Sequence, residues 1–260
     1  MGEKIELLTV PEGLEGVAVA RTAIGDVRGR EGFYHYHQYS AVELAAKRTF
    51  EDVWQLLLEG ALPDGSASSA FANSTVSLRA MPVHLADVLP SIATVGTPLE
   101  VLRTAISIIG PELGWSPMLD IDVSDVTRQT LQLCSVTPTI LAATHRLQAG
   151  YEPIEPREDL SFVANYLWML LGKELRVEFV RSIEQYLILM IDHGFNASTF
   201  TARVIASTGA DLASAICGAI GSLSGPLHGG APSRALSAIE EIGSPEHTEA
   251  YVRDVGAGTR

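Results

Sequence analysis

Two cysteines in 260 residues are too few for a disulfide framework. Neither Cys134 nor Cys217 has the CxxC or Cys/His spacing of a metal or redox motif. They read as ordinary buried thiols of a reducing compartment. Basic residues are also scarce, 18 Lys and Arg against 31 Asp and Glu, for a net charge of −13. A chain so acidic lacks the positive field that releases counterions from nucleic acid or anionic lipid, so no nucleic-acid or membrane partner is expected. A local basic pocket for a phosphorylated cofactor stays open. Long apolar runs are missing: no stretch of about 18 residues would form a transmembrane helix. The opening Met1–Glu6 is mixed in charge, without the apolar core of a signal peptide. A cytoplasmic protein is the expectation.

What is present, 47% apolar and 19% charged residues, suits one large globular domain, or one plus part of a second. Before about His37 the chain is rich in Gly and β-branched residues. Val17–Ala20 and Gly32–Tyr36 read as short strands around a Gly25-Asp26 turn. A helical period then takes over. Ser40 can cap a short helix, and Thr49-Phe50-Glu51-Asp52 has capping-box spacing ahead of Val53, Leu56 and Leu57. Residues 64–76 read as a polar loop, Val83–Leu89 and Pro98–Ile109 as helices, and 110–122 as a Gly/Pro-punctuated crossing. Asp125–Leu147 reads as a long helix kinked at Pro138, and Leu160–Leu171 as another ended by Gly172. Val177–His193, Ser198–Ala206 and Asp211–Leu223 are apolar enough all round for the centre of a core or a subunit interface.

Two segments are unlike packing material. In Asp192-His193-Gly194-Phe195-Asn196-Ala197-Ser198-Thr199 an apolar helix ends in a polar turn that opens the next helix, with Asn196 or Ser198 as its cap. A helix N-terminus with free N–H groups beside His193 suits an anion, although His193 and Asn196 could also serve only to end and cap helices. In Ser224-Gly225-Pro226-Leu227-His228-Gly229-Gly230-Ala231 the glycines let backbone approach a ligand and leave His228 without bulky neighbours. An imidazole there can act as acid, base or hydrogen-bond donor, or the segment can be a plain Gly/Pro loop.

The two segments together, joined by Ser207-Thr208 and an Ala-Ile-Cys-Gly-Ala-Ile-Gly helix, resemble the citrate synthase family. The resemblance extends to Gly13–Ala20, Thr49–Leu57 and Ile239–Glu246, and so covers essentially the whole chain. It implies an all-α fold: residues 1–225 as a multi-helical large (dimerisation) domain with short N-terminal β segments, and 226–260 as the start of a small, acyl-CoA-binding domain. It implies an acyltransferase that condenses acetyl-CoA with oxaloacetate, with no cofactor and no metal. His193 would contact oxaloacetate with Asn196 beside it. His228 would donate to the thioester oxygen of acetyl-CoA as it becomes an enol, a role whose loss costs about 3 kcal/mol where such donors have been removed.

The chain also departs from the family. No Gly-Phe-Gly-His-Arg-Val-Tyr-like segment follows residue 255, and the family's catalytic Asp base and carboxylate-binding arginines have no match. Most of the small domain is therefore expected to be missing and activity alone to be impaired. Tyr36-His37-Gln38-Tyr39 stands where many bacterial members have Tyr-Arg-Gly-Tyr. His35, His37, His84, His145 and His247 are assigned to surface or packing roles. The expected assembly is a homodimer or a pairing with a full-length homologue. The alternatives are a 2-methylcitrate synthase using propionyl-CoA, or a truncated, non-catalytic dimer partner.

Overall fold

The computed structural model describes residues 10–11 and 16–257. Gly13–Glu15 of the resemblance and residues 258–260 lie outside them. Three short antiparallel strands come first: β1 (Gly25–Arg28), β2 (Phe33–Tyr36) and β3 (Tyr39–Ser40), in sheet order β1-β2-β3. Gly25 pairs with Tyr36 and His35 with Ser40. The expected strand at Val17–Ala20 does not form. The extended segment is Gly25–Arg28, and Gly25 lies inside a strand, where a Cβ would sit 2.7 Å from His35 O and 2.9 Å from Asp192 Oδ2. The β2–β3 turn carries His37 at φ +48°, the one non-glycine with positive φ among the described residues, and its Nε2 is enclosed without a partner.

Twelve helices follow among the described residues: α1 (Ala41–Lys47), α2 (Phe50–Glu59), α3 (Gly65–Val76), α4 (Val83–Ala93), α5 (Pro98–Glu112), α6 (Val123–Gln148), α7 (Phe162–Leu171), α8 (Val177–Met190), α9 (Ala197–Ala206), α10 (Leu212–Leu223), α11 (Ala231–Ile242) and α12 (Thr248–Gly256). The Thr49/Asp52 capping box forms as its spacing predicts. Residues 64–76 are not a loop: Asp64 caps α3 by accepting from Ala67 N, and the Ser/Ala run behind it is helical. α5 continues through Pro111, and α6 runs unbroken across Pro138.

Three apolar clusters hold these elements. Leu85, Leu89, Val101, Ile106, Ile140 and Ile220 join α4, α5, α6 and α10. Tyr36, Ala41, Leu44, Val53, Leu56 and Ile188 join β2, α1, α2 and α8. In the third, Phe50 stacks on Phe162 with centroids 5.0 Å apart, and Trp54 meets Phe71 edge-on at 5.4 Å. Buried carboxylates tie the clusters at helix starts, where free N–H groups favour negative charge. Glu51 accepts from Phe162 N at 2.8 Å, and Glu184 from Phe50 N at 3.0 Å.

The apolar helices differ from expectation. α8 buries Glu184 and Ile188 but exposes Phe179, Ile183, Tyr186 and Met190, and α9 has no buried residue. One arc of α8 packs on β2, α1, α2 and α7, and nothing among the described residues covers its opposite face. Cys134 is exposed rather than buried. It faces an apolar groove of 460 Å³ walled by α2, α6, α7 and α8. No helix of the described residues is long and apolar enough to cross a membrane.

Candidate functional site

Two aromatic hydroxyls fix the end of α8. Tyr36 Oη donates to Ile188 O at 2.7 Å and Tyr34 Oη to Leu189 O at 2.9 Å, so strand β2 holds two successive carbonyls of the helix's last turn. Burial raises both phenol pKa values, so both hydroxyls keep their donor hydrogens. The chain then turns through Asp192-His193-Gly194. Asp192 Oδ2 accepts from Gly194 N at 3.1 Å, and Gly194 has φ +76°, which a side chain would strain.

His193 is exposed on this turn, with Nε2 3.0 Å from Leu189 O. Asn196, rather than Ser198, caps α9: its Oδ1 accepts from Thr199 N at 2.9 Å. Asn196 therefore serves as the cap, and Nδ1 of His193 makes no hydrogen bond to the described residues. Arg203 lies over the Phe195 ring at 5.2 Å and donates to Arg21 O at 3.3 Å, tying the turn to the N-terminal segment.

His228 is half-buried on the turn between α10 and α11. The glycines beside it serve the turn itself. A Cβ on Gly229 would sit 2.6 Å from Leu223 O, and one on Gly230 2.9 Å from Ser224 O and Gly225 O. The segment thus folds back onto the end of α10 and aims His228 at α9. There its Nε2 lies 3.0 Å from Ser198 Oγ, which also donates to Asn196 Oδ1 at 2.7 Å. Ser198 therefore joins the two histidine segments. Sequence reading offered it only as a possible cap, because nothing in spacing alone shows a contact across 30 residues.

Of the five other histidines, His247 is bonded locally to Ile242 O and Ser244 Oγ. Among the described residues, no three His, Cys, Asp or Glu side chains gather as a metal site. The apolar groove by Cys134 has neither His193 nor His228 in its walls.

A helical scaffold with an N-terminal meander, on which an interhelical turn and a Gly/Pro turn bring Asn196, Ser198 and His228 together, defines the class. Residues 13–260 match the family model for the citrate synthase C-terminal domain. The chain is 35% identical over 248 residues to a citrate synthase of Deinococcus radiodurans, covering 94% of this chain and 64% of that protein. It is 36% identical to a 2-methylcitrate synthase of Mycobacterium tuberculosis, with 94% and 61% covered. Its fold matches the crystal structure of citrate synthase from Thermotoga maritima MSB8 with a TM-score of 0.86 at 35% identity, over 97% of this chain and 66% of that one. The chain belongs to the citrate synthase family. It spans less than two thirds of the length of these relatives.

Proposed function

We propose that this chain carries the part of a citrate synthase-type site that receives oxaloacetate and polarises acetyl-CoA. The observation that carries the reading is the Asn196–Ser198–His228 chain of hydrogen bonds, which couples the two turns. His193 and Asn196 sit at the exposed start of α9, where the helix end favours a dicarboxylate. His228 is the catalytic residue, donating to the thioester oxygen as the α-carbon loses its proton. No metal or cofactor takes part in this reading, and the working protein is a homodimer in the cytoplasm.

The roles proposed for residues 1–260 are binding and polarisation. Calorimetric titration of oxaloacetate is expected to show binding to the purified chain and none to His193→Ala. Thiol detection of released CoA is expected to stay near the uncatalysed rate with acetyl-CoA. Turnover at an ordinary enzymatic rate, about 10 s⁻¹, would overturn this division of labour.

The 2-methylcitrate synthase relative supports a second reading with propionyl-CoA, which a comparison of the two thioesters as ligands separates. The open face of α8 supports a third, an interaction subunit that pairs with a longer homologue. Size-exclusion chromatography with such a homologue tests it, and a chain that stays monomeric removes it.

A further inference from the structure

Two donors converge on one carbonyl at the end of α8. Tyr34 Oη lies 2.9 Å from Leu189 O, and His193 Nε2 lies 3.0 Å from the same oxygen. A carbonyl oxygen only accepts, so Nε2 of His193 carries a hydrogen. The two rings stand 5.7 Å apart, tilted by 55°. Two residues along β2, the buried Tyr36 takes the neighbouring carbonyl, Ile188 O, and has no part in the His193 bond. The strand therefore makes two similar grips on one helix end, and only one of them is shared with a histidine.

We propose that Tyr34 is a positioning residue for His193: by sharing Leu189 O and flanking the imidazole, it holds Nε2–H inward and leaves Nδ1 as the atom that meets a ligand. This rests on the reading of His193 as the oxaloacetate contact and adds the nitrogen that makes it. Neutral and so held, the ring turns a lone pair outward. An anionic oxygen is met by the imidazolium, the form that donates from Nδ1 while keeping Nε2 on Leu189 O. The ionisable groups beside it are Asp192 on the same turn, whose Oδ2 is engaged by Gly194 N, and Tyr34 from β2.

Long-range ¹H–¹⁵N spectra of the imidazoles, assigned with His193→Gln, test the proposal. In the wild-type chain His193 is expected as a single neutral tautomer protonated on Nε2. Tyr34→Phe is expected to mix the tautomers and to weaken oxaloacetate binding roughly threefold to tenfold, the worth of one hydrogen bond. Tyr36→Phe is expected to lower stability yet leave the His193 signals in place. A wild-type His193 protonated on Nδ1, an unchanged spectrum in Tyr34→Phe, or equal changes in both tyrosine variants would each overturn the proposal. A wild-type chain with the expected tautomer but no affinity for oxaloacetate would leave the positioning intact and remove the substrate reading instead.

Discussion

Ser198 Oγ stands 3.0 Å from His228 Nε2 and 2.7 Å from Asn196 Oδ1, and its one hydroxyl hydrogen can go to only one of them. Asn196 Oδ1 also receives Thr199 N, which fixes it as an acceptor. The hydroxyl hydrogen therefore points to Asn196, and Ser198 accepts from His228 Nε2–H. In this arrangement Nδ1 of a neutral His228 bears a lone pair. The donor role proposed for His228 thus requires Ser198 to turn its hydrogen from Asn196 to Nε2, placing the imidazole hydrogen on Nδ1. His193 is held in the same sense, with Nε2–H on Leu189 O.

The shared hydroxyl makes Asn196 and Ser198 energetically dependent. Ser198→Ala removes the hydrogen bonds to Asn196 and His228 and is expected to cost about 1–3 kcal/mol in urea unfolding. Asn196→Ala strips the cap of α9 and the acceptor of Ser198 together, for about 0.5–2 kcal/mol. The double variant is expected to lose less than the sum of the two, because one bond is counted in both singles. Strict additivity would show that Ser198 does not lean on Asn196.

The turn that carries His228 depends on glycine for its own packing. Gly229→Ala places a Cβ 2.6 Å from Leu223 O and 2.3 Å from Leu223 Cδ1, so the backbone must shift. A loss of about 1–3 kcal/mol is expected, the usual cost of overpacking. Gly65→Ala is the control, since nothing lies within 4 Å of its Cβ position at the start of α3. It is expected to be neutral or stabilising by about 0.4–1 kcal/mol. Equal losses at the two sites, measured by thermal unfolding, would refute the close-contact account.

Helix content was legible where capping and period agreed, as at Thr49–Asp52, and where Pro98 suits a first helical turn. It failed at residues 64–76, where the Ser/Ala run carries no apolar stripe and reads as a polar loop, although Asp64 caps it. The β meander was misplaced by one strand because Gly25 reads as a turn residue but serves a close approach to His35 O. His193, Asn196 and His228 stood out through their order along the chain. Ser198 and Tyr34 did not, because their partners lie 30 and 155 residues away and are set only by packing.

Cys134 is exposed, yet the apolar walls of its groove make the thiolate costly. Burial among those groups pushes its pKa from 9.0 up to about 11. The thiolate is the reactive form, so alkylation by iodoacetamide near neutral pH is expected to run about a hundredfold slower than for an ordinary cysteine. Mass spectrometry of a time course reads this directly. Fast labelling at Cys134 would show that water hydrates the thiolate in the groove.

Glu51 offers the clearest pH dependence. Burial raises its pKa above the ordinary 4.5, with the Phe162 N–H opposing, Glu184 adding to the rise and Arg79 lowering it. A raised carboxylate pKa means that the folded state holds a proton which the unfolded state releases. Stability therefore falls as pH rises from about 4.5 through the raised value, because the unfolded chain binds fewer protons there. Asp64, Glu100 and Asp122 act in the opposite sense: their lowered values give stability that is lost as pH falls, and all three are fully exposed. Glu51→Gln keeps an acceptor for Phe162 N and removes the buried charge. It is expected to be more stable than wild type at neutral pH, with the gap closing as pH is lowered towards 4.5. Urea unfolding of both proteins across that range checks the slope. A gap that is constant with pH would mean that Glu51 stays charged without cost, its buried neighbour Arg79 supplying full compensation.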